Sequence, residues 1–273
     1  GFPGTMDLYR KVQEQGVPLR VYWDIPVEFM QDLFKTPLRT GDGDDYFRIG
    51  AIKLFADGSL GGRTAALEEP YSDDPGNRGI LVTPEQELRE QVYLAHTHGM
   101  QVAVHAIGDR AARVSLEAIS SAQSRLPVNH IRHRLVHVQI LSPHIMSEMR
   151  RAKVVADIQP KFISTDMRWA LERVGPTRMR SSYSWRTMRR AGIPLAGGSD
   201  CPVEPLDPLL GIYCAVTRKD VEGNPPLGFF PNEKLTLDEA VRLFTMGGAY
   251  GAHEEHRKGS LVPGKLCDFV ALS

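Results

Sequence analysis

Residues 83–105 read TPEQELREQVYLAHTHGMQVAVH, and this run decides the fold class. Thr83 offers a helix N-cap, Pro84 suits the first helical position, and Gln86 completes a capping box. Gly99 is placed to stop the helix. Residues 100–104 then form a short apolar, β-rich run that ends at His105. A capped helix followed by a buried strand with a polar residue at its tip is one unit of a parallel α/β fold.

Outward from this unit the same alternation recurs. Strands are predicted at residues 19–23, 47–55, 134–138, 154–158 and 193–196. A helix is predicted at residues 7–15, stopped by Gly16, and Gly192 stops another before the last strand. Ser142-Pro143 repeats the cap-proline pair, and Thr236-Leu237-Asp238-Glu239 is a second capping box, opening a helix to about residue 246. Two stretches, 57–82 and 221–234, read as long loops, which in a compact α/β domain are often functional. Six strand-helix units of about 30 residues suit a TIM-like (β/α)₈ barrel. Six is two short of closure, so the remaining units are expected before Gly1. The apolar run 267–272 reads as a further strand with no partner nearby in sequence. Open sheet edges favour pairing, so either a homodimer or disordered first strands is expected.

Composition narrows the class. The 273 residues carry 33 Lys plus Arg against 33 Asp plus Glu, so the formal net charge is zero. No basic surplus points to nucleic acid and no charge block to a membrane surface. The apolar runs are too short to cross a bilayer. Three scattered cysteines, Cys201, Cys214 and Cys267, make no disulfide framework, and a reducing cytoplasmic compartment is the expectation.

Four polar residues fall at or near predicted strand ends: Lys53, His105, His137 and Asp200. In a barrel the C-terminal strand ends form the catalytic face, so these side chains are expected to converge. Lys53 sits in an otherwise apolar strand. An unpaired ammonium there is costly, which lowers its pKa and makes it a candidate for carbamate formation with carbon dioxide; a lysine that snorkels to water is the plain alternative. Two histidines one barrel unit apart suit imidazole ligation of a divalent metal, although a single buried histidine is more often a hydrogen-bonded core residue. Asp200 follows Gly197-Gly198-Ser199 and precedes Pro202; it reads as a metal-binding carboxylate and proton acceptor, or as an Asx turn. His96, His98, His130, His133, His144, His253 and His256 read as structural or exposed. Trp23, Trp169, Phe229 and Phe230 are candidate pocket walls, with ordinary packing as the alternative.

Four motifs follow in order: Ile52-Lys53-Leu54-Phe55-Ala56-Asp57-Gly58-Ser59-Leu60-Gly61, His105-Ala106-Ile107-Gly108-Asp109-Arg110-Ala111, His137-Val138-Gln139 and Gly197-Gly198-Ser199-Asp200-Cys201-Pro202. Together they resemble amidohydrolase family 3, a branch of the metal-dependent hydrolases that includes N-substituted formamide deformylase-like enzymes. The segments 236–250 and 258–268 resemble the family as well. The resemblance implies a barrel over residues 1–258, with 259–273 beginning the return into a small β-sandwich. It implies a carboxylated Lys53, with His105, His137 and Asp200 completing a site for one or two metal ions, zinc foremost. It also implies a His-x-His pair at the end of the first barrel strand. His96-Thr97-His98 has that spacing but lies on a predicted helix.

The expected activity is metal-assisted hydrolysis of a non-peptide carbon–nitrogen bond in a small amide. Asp200 is expected to take the proton of the attacking water, and His137 or His105 to help stabilise the oxyanion. The alternatives are a deaminase or esterase on the same scaffold, or a metal-free regulatory or incomplete barrel.

Overall fold

The computed structural model describes residues 2–16, 19–128 and 130–272. Six parallel strands form one sheet in sequential order: β1 (Val21–Pro26), β2 (Phe47–Phe55), β3 (Val102–Ala106), β4 (Arg134–His137), β5 (Val155–Ile158) and β6 (Leu195–Gly197). Helices lie between most of them, among them Glu85–Thr97, Asp109–Arg125, Pro143–Arg151 and Trp185–Arg190. The architecture is the α/β half-barrel that the alternation predicts.

The two faces of the sheet divide by residue type. Ile52, Leu54, Val102, Val104, Leu135, Ala156 and Ile158 are buried in the main core with Leu88, Val92 and Ile119 of the covering helices. Each Val, Leu or Ile among them removed from water stabilises the fold by roughly 1.5–3 kcal/mol. The lumenal face carries a small separate cluster, Ala51, Ala103 and Val136. Alternation along the strands places Lys53, His105, Arg134 and Asp157 on that same face.

Several local expectations shift. Residues 100–101 precede β3, so His105 lies within the strand, and β1 begins at Val21 and runs on to Pro26. Thr83 does not cap its helix: its hydroxyl donates to the Phe55 carbonyl at 2.6 Å, and the helix begins at Glu85. The hydroxyl is drawn off by the exposed end of β2. Ser142 and Thr236 do cap, and Glu239 closes the box by accepting from the Thr236 N–H at 2.9 Å. The helix from Leu237 is interrupted by a π-helical turn, Leu243–Gly247. There Gly247 meets β6 so closely that a Cβ would stand 2.4 Å from the Leu195 carbonyl. Gly99 and Gly192 both have positive φ, as helix stops require. The run 267–272 is not a strand; it finds no ladder, and Phe269, Val270 and Leu272 are exposed. Arg20 grips Asp268 through two hydrogen bonds of 2.7 and 3.0 Å, tying that run beside the entry to β1. Among the described residues no helix is long and apolar enough to cross a membrane.

Candidate active site

The four strand-end residues are brought to one end of the sheet. Lys53 lies on β2, His105 on β3, His137 at the end of β4, and Asp200 just after β6. The rings of His105 and His137 meet edge to face with centroids 4.5 Å apart. His137 Nε2 is 3.9 Å from Asp200 Oδ2. The Lys53 ammonium stands 4.9 Å over the Phe55 ring, which itself lies against His105.

Burial makes both imidazoles neutral. His105 is pulled down to about 4, chiefly by burial. His137 lies well below its usual value for the same reason, reinforced by His105 and Lys53. His105 Nε2 is 2.9 Å from the Gly58 carbonyl. A carbonyl only accepts, so Nε2 carries the proton and the Nδ1 lone pair is free. This N–H is spent on the protein, and the oxyanion role expected for His105 has no donor left. His137 Nδ1 is buried and completes no hydrogen bond.

Lys53 differs from its sequence reading. Burial lowers its pKa, as expected of an ammonium in this strand, but the surroundings are not purely apolar: the charges of Asp157, Asp24 and Asp200 pull it back up. Asp200 is itself raised, by burial ahead of the opposing pull of Lys53. It adopts φ 57°, a left-handed conformation uncommon outside glycine, and its side chain is 43% exposed at the mouth.

Sequence reasoning passed over the groups that support these four. Asp57 is buried; its carboxylate accepts from the N–H groups of Ala66, Ile107 and Gly108 at 2.8, 3.0 and 2.8 Å, and sits 3.4 Å from His105 Nε2. Burial pushes its carboxyl up to about 7, while those three donors pull it down. The tie demands glycine at position 108, where a Cβ would lie 1.9 Å from the Ala66 carbonyl oxygen. Below the site, the largely enclosed Arg134 bridges Asp24 and Asp157 across β1, β4 and β5. The isolated Asp157 within an apolar strand was the available signal for this cluster.

The other sequence candidates scatter. Trp23 packs with Tyr9 and Phe47, centroids 6.5 and 6.0 Å away. Trp169 lies over Gly61, on the loop that follows β2. Phe229 and Phe230 stack edge to face on the 218–234 loop. His96 and His133 form a buried pair, 3.0 Å between Nδ1 and Nε2, so His96 is structural.

The donor set fits a divalent metal in kind: two neutral imidazoles, a carboxylate and a lysine able to become one. The 3.9 Å between His137 Nε2 and Asp200 Oδ2 is too long for a hydrogen bond and leaves room for an ion about 2 Å from each. His105 already shows the outer hydrogen bond typical of a ligating histidine. Among the described residues, no three of His, Cys, Asp and Glu form a metal-holding group on their own.

Comparison with known proteins bears on the family and the fold. The protein YtcJ of Bacillus subtilis (strain 168), an amidohydrolase by name, is 41% identical over 228 residues, covering 84% of this chain and 42% of that one. The crystal structure of a metal-dependent hydrolase of Pyrococcus furiosus, itself uncharacterised, superposes with a TM-score of 0.83 at 32% identity, covering 97% of this chain and 52% of that one. The N-substituted formamide deformylase of Arthrobacter pascens is 23% identical over 256 residues, 89% of this chain and 44% of that enzyme. The chain therefore spans about half the length of the relatives it matches. A model of the amidohydrolase family matches residues 1–273, and with the half-barrel and its strand-end residues this shows that the chain belongs to that family.

Proposed function

We propose that this chain carries the greater part of the active site of a metal-dependent hydrolase acting on a non-peptide carbon–nitrogen bond, with a small N-substituted amide or formamide as substrate. The observation that carries the reading is the convergence of Lys53, neutral His105, neutral His137 and Asp200 at one end of the sheet. The deformylase relative supports the bond class.

Lys53, His105, His137 and Asp200 would hold the ion, zinc in this reading. When bound, such an ion supplies Lewis acidity, polarising the substrate carbonyl and making water a competent nucleophile near neutral pH. Asp200, half-exposed at the mouth, takes the proton of the attacking water and passes it to the leaving amine. His105 and His137 stay neutral at working pH, so their lone pairs remain available. Asp57 fixes the turn after β3, and with it the direction of His105.

The test is turnover of N-substituted formamides and N-acyl amines by zinc-supplied protein, with and without Asp200→Asn. Loss of at least about 10²-fold, the usual contribution of general acid–base catalysis, is expected. Unchanged turnover removes Asp200 from the role.

A further inference from the structure

Two buried polar atoms at the site complete no hydrogen bond: His137 Nδ1 and Gln159 Oε1. They belong to neighbouring segments, the end of β4 and the residue after β5. Gln159 is a hydrogen-bonding neighbour of His137, although neither orphaned atom completes a bond. Gln159 is 7% exposed, so water is a poor substitute partner.

The orientation of the Gln159 amide follows from chemistry. Its Nε2 lies 3.1 Å from the Asp157 carbonyl oxygen and 3.5 Å from Asp157 Oδ1. A carbonyl only accepts, and the ion pair of Asp157 with Arg134 at 2.8 Å marks its side chain as an acceptor too. The NH₂ end must therefore face Asp157, which turns Oε1 the other way as an acceptor lacking a donor. A neutral imidazole carries one N–H, and at Nδ1 it would supply that donor.

Resting on the reading of His137 as a metal ligand, we propose that Gln159 is a positioning residue that accepts the His137 Nδ1–H, fixes that tautomer, and aims the Nε2 lone pair at Asp200 and the mouth. The support runs as a chain through the lumen: Arg134 holds Asp157, Asp157 orients Gln159, and Gln159 orients His137. Gln159 and His137 are buried and Arg134 and Asp157 only slightly exposed, which limits competing water. Outer hydrogen bonds of this kind set the tautomer and ring orientation of ligating histidines.

The test is made on metal-free protein labelled with ¹⁵N-histidine, where two-bond ¹⁵N–¹H correlation spectra report the His137 tautomer. The expected wild-type state has a protonated Nδ1 and an unprotonated Nε2. Gln159→Glu keeps an acceptor and should keep that tautomer. Gln159→Leu should lose it, and zinc titration should show Kd raised about 10-fold or more with the thermal transition retained. A wild-type His137 protonated at Nε2 overturns the proposal. So does a Gln159→Leu protein with unchanged tautomer or unchanged zinc affinity. If Gln159→Leu fails to fold, the wild-type and Gln159→Glu tautomers decide. The tautomer is read without metal or substrate, so failure of the hydrolysis assay leaves this result standing, and the reverse holds.

Discussion

His137 Nε2 and Asp200 Oδ2 lie 3.9 Å apart although 63 positions separate the two residues in sequence. The contact exists because β4, β5 and β6 run side by side in parallel, which brings their C-terminal ends to one rim. One strand unit separates the two, and β5 supplies what lies between: Asp157 and, just beyond it, Gln159.

Arg134 is the largest charge commitment beneath that rim. Its side chain is only 12% exposed and holds two carboxylates, Asp24 and Asp157. Arg134→Met leaves both largely enclosed carboxylates, 28% and 18% exposed, without their cation. Unfolding in urea should show a loss of about 3–5 kcal/mol, the usual cost of removing one partner of a buried ion pair. A loss below about 1 kcal/mol would mean that water reaches both carboxylates and that the cluster does not order the lumen.

Much of this arrangement was legible in the sequence, and the physical reasons for success and failure are separable. Strand β2 was readable to the residue because Phe47–Phe55 is apolar and bounded by turns. The four rim residues were readable because polar groups at strand tips interrupt an apolar pattern. Thr83 was misread because a hydroxyl near a helix start has more than one acceptor within reach, and the Phe55 carbonyl won. Run 267–272 was misread because apolar, β-rich composition makes a strand only where a ladder partner exists. The Asp24–Arg134–Asp157 cluster and the Asp57 tie join segments far apart in sequence, which single-strand patterns do not reveal.

Lys53 should take up carbon dioxide only when a cation is supplied with it. Adding carbon dioxide to the amine forms an N–C bond and releases a proton, leaving an anion beside Asp24, Asp157 and Asp200. Carbon-13 spectra of protein given labelled bicarbonate and zinc are expected to show a carbamate signal. It should be absent from Lys53→Met and strongly reduced without metal. Equal labelling without metal would show that the three carboxylates do not govern the site.

His133 gives the fold a defined acid sensitivity. Its Nδ1 accepts from the Val102 N–H at 3.1 Å, and its Nε2 meets His96, so the pair is wired for neutral rings. Burial pulls His133 down to about 3, from 6.5. A histidine with a lowered folded pKa contributes stability above 6.5 that is lost as pH falls towards 3. One such group removes on the order of 2 kcal/mol between pH 7 and pH 5. Asp57 and Asp166, both raised to about 7 by burial, act with the opposite sign over part of this range. The measurement is therefore the difference in urea stability between wild type and His133→Gln at pH 7 and pH 5. The wild type should lose more on acidification; parallel profiles would refute the assignment.

Zinc content tests the site itself most directly. Protein supplied with zinc and then desalted should retain about one equivalent or more by elemental analysis. His105→Ala and His137→Ala should each lose most of it, while His98→Ala, on the capped helix end, should not. Retention of zinc in both ligand variants, or no zinc in the wild-type chain, would contradict a metal centre built on Lys53, His105, His137 and Asp200.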